Sequence, residues 1–169
     1  MLVKAGRIAE DPFITLADDD ALPKNGAVIV SLKRFQAETD ALLSRDAHLG
    51  VRLETDQSPE ALGEHVHKLA VVVLTMPTFK DGRAFSWARV LRTRLGYQGE
   101  IRVTGHFLRD QLAFLVRVGV DAFDISQNLS MDDIEAALHE ISDVYQPSVD
   151  GRPTISDLRA AARTNGQGA

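Results

Sequence analysis

Cysteine is absent from all 169 residues. Its absence excludes disulfides, thiolate metal ligands, cysteine-held iron–sulfur clusters and thiol nucleophiles, so any redox role needs a bound cofactor or a partner. Long apolar runs are missing too. The mean hydropathy of -0.10 leaves no span of the ~20 apolar residues that a membrane helix requires. The opening MLVKAGRIAEDPF lacks a continuous apolar stretch after its basic residue, so no secretory leader is expected and the cytoplasm is the expected location. Three nucleotide and hydrolase signatures are also missing: G-x-G-x-x-G, G-x-x-x-x-G-K-[ST] and G-x-S-x-G. A phospho-receiver would need acidic residues after its first strand and at the end of its third, where this chain reads SLKRF and LTMPT. His65 and His67 are two apart in a helical pattern, where such a pair diverges, and no third ligand joins them. No metal is expected.

What is present is an ordinary globular composition, 44% hydrophobic and 25% charged, with a net charge of -5. The charge is uneven. Residues 1–79 carry 8 basic and 12 acidic groups, residues 80–120 carry 8 and 3, and residues 121–169 carry 3 and 9. The middle is therefore +5 between flanks of -4 and -6. Such a centre favours an anion or an acidic partner, while the overall acidity argues against extended nucleic acid.

From Ala27 onward, short apolar runs alternate with segments of helical period. VIVSL at 28–32, LGVRLE at 49–54, LAVVVLT at 69–75, EIRVT at 100–104 and DAFDI at 121–125 read as strands. Between them, residues 32–45 read as one helix with Phe35, Thr39 and Leu42 on its buried face. Ser58 and Pro59 start a second, residues 86–95 form a third with Trp87, Val90, Leu91 and Leu95 inward, and residues 108–118 form a fourth with Leu108, Leu112, Leu115 and Val116 inward. Ser130 caps a fifth, whose buried stripe is Ile134, Ala137, Leu138, Ile141 and Val144. The pattern is α/β: about five parallel strands alternating with helices, in an open doubly wound sheet or a partial (βα) barrel. Residues 1–26 read as an N-terminal arm or hairpin, 27–145 as a single domain, and 146–169 as a flexible tail.

In parallel α/β folds ligands gather at the carboxyl ends of the strands. Thr75, Thr78, Lys80, Asp81, Arg83 and Ser86 follow the third strand; His106, Arg109, Asp110 and Gln111 follow the fourth; Ser126, Gln127 and Asn128 follow the fifth. Arg83, placed in the loop before its helix, is the leading anion-binding candidate because its forked donors would work beside free helix N–H groups. On a helical wheel Arg89 and Arg92 fall on the polar side, as a solvated face would, and Arg94 falls in the apolar stripe, where it would snorkel or pair with a buried carboxylate. Gln111, if buried, needs an amide partner, most simply the preceding loop. His106 beside Asp110 would form an acid–base pair if the two come within reach.

The block FKDGRAFSWARVLRTRLGYQGEIRVTGHFLRDQLAFLVRVGVDAF at 79–123 resembles the bacterial domain-of-unknown-function family 934. The matching positions include Asp81, Gly82, Arg83, Ser86, Arg89, Arg92, Arg94, Gly99, Glu100, Arg102, Gly105 and the run from Leu108 to Gln111. The resemblance implies a probable oxidoreductase of sulfite reduction, accompanying assimilatory sulfite reductase. It raises Arg89, Arg92 and Arg94 as candidates for a partner surface or for a supporting network behind the site. His106 and Val118 depart from the family pattern, which has an acidic residue and a cysteine there, so neither an essential carboxylate nor a thiol carries over. Three roles follow as expectations. The first is an accessory module in which Asp81, Arg83, Ser86, Arg89, Arg92, Arg109 and Gln111 bind a small oxyanion or sulfite reductase. The second is an oxidoreductase with an external cofactor, unnamed by the sequence, using His106 and Asp110 for protons. The third is a structural subunit that forms homo-oligomers through the Trp87 helix.

Overall fold

The computed structural model describes residues 1–126 and 129–165. Gln127 and Asn128, grouped above with the fifth strand's loop, lie outside the described residues. The elements run β1 (Leu2–Lys4), β2 (Arg7–Ile8), β3 (Phe13–Thr15), β4 (Ala27–Ser31), α1 (Leu32–Ala37), α2 (Thr39–Leu43), β5 (Leu49–Leu53), a 3-10 segment (Pro59–Lys68), β6 (Val71–Met76), α3 (Arg83–Thr93), β7 (Glu100–Gly105), α4 (Gln111–Arg117), β8 (Ala122–Asp124), α5 (Met131–His139) and α6 (Ile155–Asn165).

All strands join one sheet in the order β2-β1-β8-β7-β6-β5-β4-β3. From β3 to β8 every neighbour is parallel and next in sequence. That order decides between the two architectures. A doubly wound sheet reverses direction at a switch point, whereas right-handed crossovers advancing always the same way put every helix on one face. The sheet is therefore a half-barrel with its helices outside. Val28, Val30, Val51, Leu53, Val72, Leu74, Ile101, Val103 and Phe123 face them and form the main core with Phe35, Leu42, Leu91, Leu112, Leu115 and Ile134. The alternate residues face inward, where Ile29, Val71 and Val73 make a small second cluster against Phe13.

The curl follows from chain length. β2 and β3 lie at opposite edges of the eight-stranded sheet, yet only residues 9–12 connect them. Seven strand spacings of ~4.8 Å would separate the edges of a flat sheet by ~34 Å. Five extended residue steps span at most ~17 Å. The edges must bend toward one another, and the connecting segment crosses the open side as a strap. Its Asp11 reaches Arg102 on β7, with Nη1 to Oδ2 at 2.7 Å and Nη2 to Oδ1 at 3.2 Å. Arg102 also donates Nε to Glu100 at 2.8 Å and lies over the Phe13 ring at 5.6 Å. At 3% exposure it is the arginine most deeply placed in the curl.

Several local expectations differ from the structure. Residues 1–26, expected as an arm or hairpin, open with a β1–β2 hairpin but go further and contribute three strands to the sheet itself: β1 pairs with β8 as well as β2, and β3 with β4. The expected helix over 32–45 breaks at Glu38, whose φ of -124° is not helical, leaving α1 and α2. Ser58 caps its helix as anticipated, but Gly63 at φ 55° interrupts it. α3 begins at Arg83, three residues earlier than periodicity indicates, so Arg83 is the first helical residue and not a loop residue. α4 begins at Gln111, which leaves Leu108 outside it and exposed, with Val116 also exposed. In the stretch read as a tail, Thr154 and Asp157 cap a real helix, α6, by reciprocal hydrogen bonds.

Candidate functional site

The loops leaving β6 and β7 open onto one rim. Parallel pairing runs to Met76 opposite Gly105, and the His106 N–H then donates to the Met76 carbonyl at 2.7 Å. Gln111 ties the two loops. Its Oε1 accepts from the Leu108 N–H at 2.9 Å and its Nε2 donates to the Phe79 carbonyl at 2.9 Å. The amide thus has the loop partner that its position demanded.

On this rim Asp81 is the most heavily bonded carboxylate. It accepts from the Arg83 N–H, from Arg83 Nε at 2.9 Å and Nη2 at 2.7 Å, and from the Thr55 hydroxyl at 2.8 Å. Hydrogen bonds from Arg83 and then Thr55 hold it well below the usual carboxylate range. Trp87 Nε1 donates to the Thr55 carbonyl at 3.1 Å, so the knot fastens the start of α3 to the loop after β5. Arg83 spends Nε and Nη2 on this knot, and about half of its side chain stays exposed. Arg109 pairs with Glu140 at 3.2 Å. Ser86, His106 and Asp110 are exposed, and no hydrogen bond or ion pair joins His106 to Asp110 among the described residues.

The other arginines of α3 separate by role. Arg92 is a staple. Its Nη1 donates to the carbonyls of Tyr97 and Gly99 at 2.7 and 2.9 Å, its Nε to that of Gly119 at 3.1 Å, and its Nη2 to Asp121. The wheel put it on a solvated face, but the loop before β8 folds beneath it. Arg94, expected in the apolar stripe, lies just past the last helical residue, is 67% exposed, and pairs with the exposed Glu60 at 2.9 Å. Arg89 is exposed and no side-chain partner is found for it among the described residues. It lines a groove of about 490 Å³ with Phe85, Phe114, Arg117, Tyr145 and Pro147. Phe114 is 52% and Tyr145 81% exposed. A larger groove of about 660 Å³ opens at the opposite end of the strands, between the β1–β2 turn and α5.

The inner face carries groups that the sequence reading left out. A pocket of about 120 Å³ is lined by Asp11, Thr15, Arg52, Arg102, Thr104 and Asp124 together with two apolar side chains. Register places Ser31, Arg52, Val73, Arg102, Ala122 and Lys4 in one row across six strands. Alternation was the available signal. Gly50 and Arg52 in β5, and Glu100, Arg102 and Thr104 in β7, repeat every second residue, as a polar inner face requires. Among the described residues no cluster of three acidic or histidine side chains could hold a metal ion, and His65 instead packs edge-on against Phe35 at 6.2 Å. No helix is long and apolar enough to cross a membrane among the described residues.

Residues 50–155 match the family described as "Bacterial protein of unknown function (DUF934)", and the chain belongs to that family. No curated protein and no solved structure matches the chain.

Proposed function

We propose that the protein is an accessory binding module of assimilatory sulfite reduction, docking on an acidic surface of sulfite reductase through the groove between α3, α4 and residues 141–148. The observation that carries the reading is the composition of that groove. Exposed aromatic rings beside guanidinium groups are the enriched chemistry of protein interfaces, and scattered surface residues would not concentrate them in this way. Among the described residues Arg89 makes no ion pair, and Arg117 donates Nη2 to the Gln146 carbonyl at 2.7 Å and makes none either, so the groove's two guanidinium groups outnumber its one carboxylate, Asp143. The +5 charge of residues 80–120 supports an acidic counterpart. The process itself rests on the family resemblance alone.

Rim residues would extend the contact: Arg83 through the exposed part of its side chain, Arg109 and Ser86 around it. Arg92 and Gln111 would act indirectly, by fixing the backbone. His106 and Asp110 would handle protons only in the enzyme reading, which needs a cofactor and a closer approach of the two side chains.

The test is surface binding of purified assimilatory sulfite reductase to the immobilised chain. Binding should weaken as ionic strength rises, and Arg89→Glu or Phe114→Ser should reduce affinity by about tenfold or more. No binding by the wild type, or binding indifferent to both substitutions, would remove the reading.

A further inference from the structure

Two arginines face the interior of the half-barrel, and the structure treats them differently. Arg102 spends Nε, Nη1 and Nη2 on Glu100 and Asp11. Arg52 makes no hydrogen bond among the described residues: its Nε is shielded from solvent without a hydrogen-bond acceptor, and its approach to Glu54 at 3.2 Å is an ion pair lacking hydrogen-bond geometry. Donors shielded from water and left unmade are costly and uncommon in a finished interior.

The neighbouring strand repeats the anomaly. The Thr75 hydroxyl is likewise shielded and unpartnered. Arg52 is in register with Val73, so Thr75 is the next inward residue along β6, at the diagonal distance of ~7–8 Å that a long side chain reaches. Thr75 is in turn in register with Thr104, which lines the pocket. The Thr75 hydroxyl and the two Nη groups of Arg52 therefore lack hydrogen-bond partners among the described residues at one place, on the carboxyl-end half of the central strands, where barrels of this winding bind ligands.

We infer that this pocket binds a small carboxylate or oxyanion, with the Arg52 guanidinium as its charge partner and the Thr75 hydroxyl as a second donor. Asp11 on Arg102 displays the same chemistry already satisfied within the chain: a carboxylate held by two donors of a guanidinium fork. Arg52, whose side chain is 37% exposed, offers a second fork: Glu54 approaches its Nε at 3.2 Å, while Nη1 and Nη2 have no hydrogen bond or ion pair among the described residues. The volume of about 120 Å³ is that of roughly four water molecules, which suits an ion such as sulfate, phosphate or acetate and excludes a nucleotide. Asp124 does not block it, because its strand lies three away from that of Arg52 and its carboxylate accepts the Thr104 hydroxyl. The site is separate from the aromatic groove and independent of the docking reading.

The experiment is an NMR titration of the full chain with sodium sulfate, sodium phosphate and sodium acetate in turn, at ionic strength fixed with sodium chloride. The backbone amides of Val73, Thr75 and Thr104 should shift saturably with at least one anion, and Arg52→Gln should weaken that binding about tenfold or more. Thr75→Val, close in shape, should weaken it by a smaller factor and carries the comparison if Arg52→Gln does not fold. Absence of a saturable shift with all three anions, wild-type affinity in the substituted chains, or shifts confined to the Arg83 and Arg109 rim would each overturn the assignment.

Discussion

Replacing Asp11 by Asn tests whether the strap holds the half-barrel closed. The substitution keeps shape and one acceptor but removes the charge opposite Arg102, which is 3% exposed, while Asp11 itself is 39% exposed. Two unit charges ~4 Å apart attract by ~4 kcal/mol at an effective dielectric of ~20 and by ~1 kcal/mol in water. A pair with one buried and one half-exposed member falls between, near ~2 kcal/mol. Glu100 continues to hold Nε at 2.8 Å, which limits the cost of the freed guanidinium. Urea denaturation should therefore give a loss of about 2 kcal/mol at unchanged slope, and a cycle with Arg102→Gln should return a coupling of similar size. The geometry makes a further demand. Because residues 9–12 bridge both sheet edges, Asp11→Asn should raise amide exchange in β3 and β1 more than in β6. A coupling below ~0.5 kcal/mol would refute the argument, since that is the worth of a solvent-screened surface pair.

Three other outcomes are expected. Gly105→Ala should cost about 3 kcal/mol or more and lower the melting temperature by ~6–12 °C, because φ is 108° there and a Cβ would clash with the Met76 carbonyl oxygen. Arg92→Gln should cost about 3 kcal/mol in the same assay by freeing the carbonyls of Tyr97, Gly99 and Gly119, yet leave binding to sulfite reductase within twofold, unlike Arg89→Glu. Ser130→Ala should cost about 1 kcal/mol at neutral pH by removing the cap of α5. Hydrogen bonds from Ser130 lower the pKa of Asp133 in the folded state, so their contribution is present above the unfolded value and is lost as pH falls through the folded one. Wild-type and Ser130→Ala midpoints should accordingly converge in acid; a constant gap from neutral pH down to ~3 would contradict that sign.

The five strands of the repeating units were legible because each is a short β-branched or apolar run closed by a turn residue. β1, β2 and β3 were not. They are two or three residues long, and β2 and most of β3 are exposed, so no alternation could accumulate. What places them is pairing with β8 and β4, more than a hundred residues away in the first case. The winding was undecided for the same reason: periodicity reports which face of a strand is buried and says nothing about which strand lies beside it. Arginine roles fail differently. The wheel assigned Arg92 and Arg94 by angle, but angle has meaning only while the helix continues and only against what packs on it. α3 ends at Thr93, which frees Arg94, and residues 119–121 cover the side that carries Arg92.

The inner face was the most readable feature left unread. LGVRL and EIRVTG alternate apolar residues with glycine, arginine, glutamate and threonine, and in a one-sided sheet those alternate positions must point away from the helices. Gly50 belongs to the same inner face for a steric reason: a Cβ there would clash with the Val71 side chain and crowd that of Ile29. Crowding at one level of the curl and an unfilled pocket above it are two consequences of one bend. The strap draws the edges together where Phe13, Ile29, Val71 and Val73 close ranks, while Arg52 in the row of Val73 and Thr75 and Thr104 in the next carry length or polarity that prevents the same packing. At the carboxyl end of that inner face the Thr75 hydroxyl and the Nη groups of Arg52 have no hydrogen-bond partner among the described residues, and this is where the proposed anion would sit. That step leads from the strap between β2 and β3 to the Nη groups of Arg52.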